Sequence, residues 1–263
     1  MHRLQSSVAV SGADGRWHLI NASPDVTTQI ARYLRAELKP AMRSSPVAEI
    51  FITNADLDHS LGLFLLREGE RLRITAPEGA RQALIEGLRM GDVLDSFCGV
   101  EWMGAAETWR DLGASLQVRA VPLRDATAPR YAGRAGGVHA VGYLFRDGET
   151  GKQAGMFPDV PTLTKELLAI FAECDALFVD GTFWRDDELQ QLSVSPRTAR
   201  DMGHVPILGE GGSLEPLAAL GLPLCAYLHI NNTNPVLDRD SVERRAVEAA
   251  GLRVAEDGMT IKL

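Results

Sequence analysis

The stretch Ala48–Gly62 reads AEIFITNADLDHSLG and decides how the chain is interpreted. Its first six residues are typical of a buried strand, and the polar residues Asn54, Asp56, Asp58 and His59 follow at once. In α/β proteins, ligands gather at strand ends because the loops there are free to converge. Asp58 could instead cap a helix and His59 could be solvated, so this stretch alone leaves a capped turn and a functional site both open.

Two later strands end in the same kind of residue. The run Asp175–Asp180 (DALFVD) ends in a carboxylate, and Leu224–His229 (LCAYLH) ends in an imidazole. A buried charge needs a partner, although Asp180 alone would also fit a turn and His229 alone would also fit a core histidine. Taken together, two carboxylates and two imidazoles suit a first-row divalent metal. The predicted metal ligands are Asp58, His59, Asp180 and His229.

Composition limits the partners and the compartment. The chain has 263 residues and a formal net charge of -8, which disfavours a nucleic-acid backbone as a ligand. Its three cysteines are scattered and form no C-x-x-C pair, which favours a reducing compartment over a disulfide framework. No signal peptide or apolar run of membrane-spanning length is expected. We therefore expect a cytoplasmic protein with one domain over residues 1–263, and no membrane partner.

Strand-like and helix-like runs alternate along the chain, which predicts a layered α/β protein with a mixed sheet. The helix after Ser23 is predicted to be capped by Ser23 and to reach about Leu38, and the helix 241–250 to be capped by Asp240. The predicted strands are 17–22, 48–53, 73–76, 116–122, 138–146, 153–157, 175–180 and 224–229. The other predicted helices are 61–67, 77–90 and 163–172.

Several polar loops are further candidates. His204 lies beside a glycine and could be a proton donor, a ligand or simply an exposed loop histidine. The glycine-rich run 209–213 could hold an anion at a helix N-terminus, although a flexible turn is the commoner explanation. Arg124 could bind a carboxylate or be solvated, and the run Asn231–Asn234 could brace a loop or bind a polar ligand.

These motifs carry a family resemblance. The segment 53–62 resembles the metal-binding motif His-x-His-x-Asp-His of the metallo-β-lactamase superfamily, with Asn54 and Asp56 in place of the first two histidines. Together with DGTFW at 180–184 and HINNTNP at 229–235, it closely resembles the coenzyme PQQ synthesis protein B family over nearly the whole chain. The resemblance implies an αββα sandwich of the α/β (α+β) class, with a shortened N-terminal strand region.

The resemblance also implies a function. The family is thought to make pyrroloquinoline quinone (PQQ) as an iron-dependent oxygenase that hydroxylates the tyrosine ring of a Glu–Tyr-derived precursor. Asp58, His59 and His229 would hold one divalent metal, with Fe(II) favoured over Zn(II), and Asp180 would lie nearby. His204 and Asp180 would be the catalytic residues. The expected substrate-binding residues are Asn54, Asp56, Arg124, Gly211, Ser213, Asn231, Asn232 and Asn234.

Two other functions stay open at this point. The protein could carry PQQ or its precursor without catalysis, or it could be a metal-dependent hydrolase, the commoner activity of this fold. The cysteine cluster that binds structural zinc in family members has no counterpart among Cys98, Cys174 and Cys225, so no structural zinc is expected. The sequence does not fix the oligomeric state, and a homodimer is compatible with it.

Overall fold

The computed structural model describes residues 3–34, 46–68, 71–133 and 135–263. The chain divides into two compact units. Unit 1 comprises Met1–Tyr143 with Asp147–Glu149, and unit 2 comprises Leu144–Arg146 with Thr150–Leu263. The prediction of a single domain over residues 1–263 stays a prediction.

Unit 1 is built on a five-stranded sheet with the strand order β1-β2-β3-β4-β5. The edge strand β1 is antiparallel to β2, and the following neighbours are parallel. The antiparallel pair β6–β7 belongs to the same unit. The strands are β1 (Val8–Ser11), β2 (Trp17–Ile20), β3 (Val47–Phe51), β4 (Leu72–Ala76), β5 (Val100–Gly104), β6 (Arg110–Gly113) and β7 (Leu116–Pro122).

Short helices cover the apolar side chains of this sheet. Ile50, Ile52 and Ile74 are almost fully buried and pack with residues of the helices in one core. The helices of unit 1 are α1 (Val26–Gln29), α2 (Leu57–Ser60), α3 (Glu78–Gln82) and α4 (Met90–Asp95). The first three helices each run directly into a second helical segment, and these segments are Ile30–Leu34, Leu61–Leu66 and Ala83–Gly87.

Unit 2 contains a parallel sheet with the strand order β12-β11-β10-β9. Strand β8 (Val141–Asp147) contributes residues to both units. The other strands are β9 (Gln153–Phe157), β10 (Ala176–Asp180), β11 (Leu224–Leu228) and β12 (Arg253–Val254). The helices are α5 (Lys165–Phe171), α6 (Glu188–Gln191), α7 (Leu214–Ala219) and α8 (Val242–Ala249), with single helical turns at Arg200–Met202 and Pro235–Leu237.

The sequence predicted the most regular elements well. Strands β7 and β9 have the predicted bounds, because their hydrophobic runs end in clear turn residues. Strands β1, β5, β6 and β12 were not predicted. Among the described helices, none has the length and apolar character needed to cross a bilayer.

Two predicted helix caps were wrong. Ser241, not Asp240, caps α8, because its extended backbone lets its side chain accept a hydrogen bond from Arg244 N. Helix α1 begins at Val26 with Asp25 at the cap position, whereas Ser23 lies two residues before that position and its Oγ accepts a hydrogen bond from Asp25 N. The predicted end of that helix near Leu38 lies outside the described residues.

A buried ion pair yields the first prediction. Glu49 is 2% exposed, and its carboxylate accepts hydrogen bonds from Arg110 Nη2 and Thr75 Oγ1, each at 2.5 Å. Arg110→Met leaves this charge without its counter-ion and should lower the free energy of unfolding by about 3 kcal/mol. Chemical denaturation measures the change.

The matched control is Arg73→Met, since the Arg73 side chain lies 3.4 Å from Glu101 and both are about half exposed. The loss in the free energy of unfolding caused by Arg73→Met should stay below about 1 kcal/mol. Equal costs for the two substitutions would contradict the assigned difference in burial.

Candidate functional site

Asp180 is the last residue of β10 and its side chain is fully buried. Its carboxylate accepts hydrogen bonds from Val160 N (2.9 Å), Thr182 N (3.0 Å), Thr182 Oγ1 (2.6 Å) and His204 Nδ1 (2.8 Å). A charge removed from water is tolerated only when it is paired and hydrogen-bonded, and these donors meet that requirement. The predicted pairing of this buried charge is therefore present.

The pKa values of Asp180 and His204 move in opposite directions. Burial works against the charged form of Asp180, yet the charge and hydrogen bond of His204 hold the pKa of this carboxyl below its ordinary value. Burial alone would lower the pKa of His204, but the adjacent Asp180 carboxylate raises it above its ordinary value. Both shifts favour an ion pair between the imidazolium and the carboxylate.

Thr182 connects Asp180 to a second imidazole. Thr182 Oγ1 lies 2.8 Å from His229 Nδ1 and 2.9 Å from the His229 carbonyl oxygen. The hydroxyl hydrogen goes to Asp180, because the carboxylate is closer and is the stronger acceptor. The hydroxyl oxygen is then left to accept from His229 Nδ1–H, so Nε2 is the atom that this imidazole offers to a ligand.

The backbone at His229 and at Gly181 suits this arrangement. His229 follows β11 with φ +57°, a left-handed conformation that turns the chain sharply at the strand end. Gly181 lies against β11, where an added Cβ would come within 2.7 Å of Tyr227 Cβ. The backbone of Gly181 therefore approaches β11 too closely for a larger residue.

Asp159 completes a cluster of donors in unit 2. It is 8% exposed, and its Oδ1 lies 3.8 Å from His204 Nδ1 and 3.7 Å from His229 Nδ1. One donor atom from each of these three residues lies within 4.8 Å of the others. Two imidazoles and a carboxylate are ligand types that a divalent first-row metal accepts, and each imidazole keeps Nε2 for this because its Nδ1 faces Asp180 or Thr182.

Sequence reasoning missed Asp159 and Thr182. Asp159 comes two residues after β9 ends at Phe157, which is the same kind of strand-end position that drew attention to Asp180. The intervening Pro158 is typical of a plain turn, so the segment alone gives no clear sign of a ligand. Thr182 was noted only as part of a family motif, since a single hydroxyl carries little signal in a sequence.

The polar loop after His229 is braced largely by its own side chains. Asn234 is buried and its Nδ2 donates to the Gly181 carbonyl, and Asn231 Nδ2 donates to Thr233 Oγ1. Thr233 in turn donates to the buried Glu188 carboxylate at 2.5 Å. Asn232 is exposed.

The other predicted substrate-binding residues have varied surroundings. Ser213 is fully buried and its Oγ lies 2.9 Å from Tyr227 Oη, whereas Gly211 occupies a turn with φ +63°. In unit 1, Arg124 is largely exposed and lies 3.7 Å from Glu107. The predicted substrate-binding roles of these residues and of the asparagine loop stay predictions.

In unit 1, the predicted residues after β3 lie close together. His59 is fully buried in α2, and its Nε2 lies 3.9 Å from Oδ2 of Asp58, whose side chain is partly exposed. Asn54 and Asp56 are hydrogen-bonded to each other, and Asn54 is also bonded to His59. The imidazole and carboxylate thus form a pair of donors for a cation within this unit.

Comparisons with known proteins agree with the sequence-based resemblance. The family model described as a β-lactamase superfamily domain matches residues 16–230. A coenzyme PQQ synthesis protein B from Nitrosococcus oceani is 35% identical, and the match covers 99% of this chain and 88% of that protein.

Solved structures give the same fold. The crystal structure of Zn(2+)-bound PqqB from Methylobacterium extorquens superposes with a TM-score of 0.84 at 34% identity, over 99% of this chain and 87% of that one. The metallo-β-lactamase fold protein YhfI from Bacillus subtilis has a TM-score of 0.65 at 11% identity, over 97% and 91% of the two chains, and supports the fold alone. The predicted fold class is confirmed, and the chain belongs to the coenzyme PQQ synthesis protein B family of the metallo-β-lactamase superfamily.

Proposed function

We propose that this protein acts in PQQ biosynthesis as a metal-dependent oxygenase that hydroxylates the tyrosine ring of a Glu–Tyr-derived precursor. The role in PQQ synthesis is supported by the names of its relatives, and a divalent metal by the zinc-bound relative. The observation that carries the proposal is the cluster of Asp159, His204 and His229, whose donor atoms lie within 4.8 Å of one another. Asp180 is hydrogen-bonded to His204 and, through Thr182, is connected to His229.

The donor set supports a metal that leaves room for other ligands. Two histidines and a carboxylate are the protein ligands of many non-haem Fe(II) oxygenases, and this set leaves coordination positions for substrate and O₂. Fe(II), when bound, would supply the activation of O₂ that ring hydroxylation needs. The ligand set predicted from the sequence, Asp58, His59 and His229 with Asp180 nearby, stays a prediction, and Asp159 is an additional candidate in unit 2.

The protein residues would orient groups and move protons. Asp180 holds His204 through Nδ1 and holds His229 through Thr182, so both rings have fixed orientations. We assign Asp180 a positioning role that acts through these imidazoles. His204 is 8% exposed, and Nε2 is its one ring nitrogen not held by Asp180. This atom would serve either as the metal ligand of the cluster or, as the sequence predicts, as the donor or acceptor of the proton that moves during ring hydroxylation.

The main test is reconstitution. Protein purified without air, loaded with Fe(II) and given ascorbate as a two-electron reductant should convert a Glu–Tyr dipeptide to a product that carries one oxygen atom from ¹⁸O₂, with the second oxygen atom reduced to water. His229→Ala should lose bound metal and product together, because it removes a predicted ligand. Metal analysis and mass spectrometry of the dipeptide measure the two effects.

His139→Ala is the matched control, since His139 is a partly buried histidine of unit 1 outside both donor groups. It should keep metal and product. A product without added oxygen, although metal is bound, would overturn the oxygenase assignment. Tight PQQ binding that survives chelation and His59→Ala would then favour a carrier, and cleavage of phosphodiesters with Zn(II) or Mn(II) would favour a hydrolase.

The coupling of Asp180 and His204 predicts a pH dependence. In the metal-free protein, the His204 ring should titrate above the ordinary histidine pKa of about 6.5, because the Asp180 carboxylate raises its pKa. Protonation of His204 then stabilises the fold fully below that ordinary value, and the stabilisation is lost as pH rises through the raised pKa. NMR titration of the ring protons and denaturation at several pH values measure both effects.

Asp180→Asn should lower the pKa of His204, since burial is then opposed only by the more distant Asp159 carboxylate. Asp175→Asn is the control, because Asp175 accepts a hydrogen bond from Gln153 N and is not among the groups that shift His204. An unchanged His204 titration in Asp180→Asn would contradict the assigned cause.

A further inference from the structure

The segment after β3 contains a chain of hydrogen bonds that ends on His59. Asn54 Oδ1 lies 3.2 Å from Asp56 N and 2.8 Å from His59 Nδ1. Asn54 Nδ2 lies 3.0 Å from Asp56 Oδ2. One end of the Asn54 amide therefore contacts both the Asp56 backbone N–H and His59 Nδ1, and the other end contacts the Asp56 carboxylate.

These contacts settle the orientation of the Asn54 amide. The oxygen and nitrogen of an asparagine side chain are usually distinguished only by their hydrogen-bond partners. Here the Asp56 backbone N–H can only donate, so the atom facing it is the oxygen, and the Asp56 carboxylate can only accept, so the atom facing it is the nitrogen. The same oxygen faces His59 Nδ1.

The orientation of the amide fixes the tautomer of His59. An amide oxygen accepts only, so His59 Nδ1 must carry the hydrogen, and in the neutral ring Nε2 then carries the lone pair. Thr53 Oγ1 lies 3.3 Å from the same Nδ1, and it donates its own hydrogen to Asn21 Oδ1 at 3.1 Å, so its oxygen is left to accept from the ring. Both neighbours therefore support a hydrogen on Nδ1.

The ring has little freedom to turn away from this arrangement. His59 is fully buried, its backbone N–H donates to the Asp56 carbonyl, and its carbonyl accepts from Ala22 N at 2.8 Å. His59 Nε2 lies on the side of Asp58, 3.9 Å from Oδ2. The lone pair thus lies beside a carboxylate that could share a cation with it.

We propose that Asn54 is a positioning residue for His59, which holds the ring in the Nδ1–H tautomer and presents Nε2 as the metal-binding atom. The sequence predicted Asn54 and Asp56 as substrate contacts; the hydrogen bond of Asn54 to His59 supports a role behind the imidazole, whereas the role of Asp56 stays a prediction. The metal-binding part rests on the proposed function, whereas the tautomer is a property of the protein alone.

The test uses the full chain, labelled with ¹⁵N at histidine and free of metal, at a pH well above the ordinary histidine pKa of about 6.5. Long-range ¹H–¹⁵N correlation distinguishes protonated from unprotonated ring nitrogens, and His59→Gln identifies the His59 signals. Wild-type His59 should be the Nδ1–H tautomer. Asn54→Leu should lose this preference, whereas Asn54→Asp should keep it because a carboxylate oxygen still accepts from Nδ1.

Zn(II) affinity gives a second readout. Asn54→Leu should weaken binding by about 10- to 100-fold, the usual effect of removing a group that orients a metal-binding histidine. Asn54→Asp should restore most of this affinity. Asp56→Ala is the control within the same segment, because it keeps the backbone donor at position 56 and should keep the tautomer.

An Nε2–H tautomer in the wild type would overturn the proposal, and so would an unchanged Nδ1–H tautomer in folded Asn54→Leu. If Asn54→Leu does not fold, the His59 tautomer in the wild type and in Asn54→Asp still tests the proposal. Because the tautomer is determined without metal or O₂, its result is separate from whether the loaded protein hydroxylates a tyrosine ring.

Discussion

The buried carboxylate of Asp180 is the interaction on which the polar cluster of unit 2 depends. Taking a carboxylate out of water costs several kcal/mol unless donors surround it, so the chain around Asp180 must supply them. Val160 N, just after β9, and Thr182, just after β10, both donate to it. His204 donates from its loop, and Thr182 holds His229 at the end of β11. The Asp180 carboxylate therefore connects the ends of β9, β10 and β11 and orients the imidazoles of His204 and His229.

A related arrangement occurs within unit 1, with an amide in place of the carboxylate. There, the oxygen of Asn54 accepts from Nδ1 of the buried His59. In both units, acceptors at Nδ1 leave Nε2 as the atom for external chemistry, and a ring held in one orientation loses little conformational freedom on binding a cation. Hydrogen bonding behind the rings, rather than the identity of the histidines alone, thus determines which atoms the protein offers.

The sequence predicted the features that depend on local patterns. The apolar runs of β10 and β11 are visible because strands buried on both faces are continuously hydrophobic. Asp180 ends β10 and His229 follows β11, and the structure joins these two residues through Thr182. Strands β1 and β6 have only four residues each and partly exposed faces, so they give little periodic signal. The predicted cap of α8 was wrong by one residue, because Asp240 and Ser241 are both residue types that cap helices and only the backbone geometry distinguishes them.

The site was predicted less completely than the fold. Asp159 contacts His204 and His229 through tertiary structure, and its local sequence resembles an ordinary proline turn. Asn54 was recognised as a replaced ligand, yet its hydrogen bond to His59 depends on the turn at Asp56, which only coordinates reveal. Such contacts are three-dimensional, whereas the presence of Asp and His at strand ends is a property of the sequence.

An anomalous difference map would show where a metal binds relative to Asp180 and the two imidazoles. Crystals grown without air in Mn(II) or Fe(II), measured at the absorption edge of the metal, would locate the ion relative to the oriented imidazoles. We predict a peak about 2.1 Å from His229 Nε2, with Asp180 still hydrogen-bonded to His204 and Thr182. A peak on His229 Nδ1, or on the Asp180 carboxylate with His204 displaced, would contradict it.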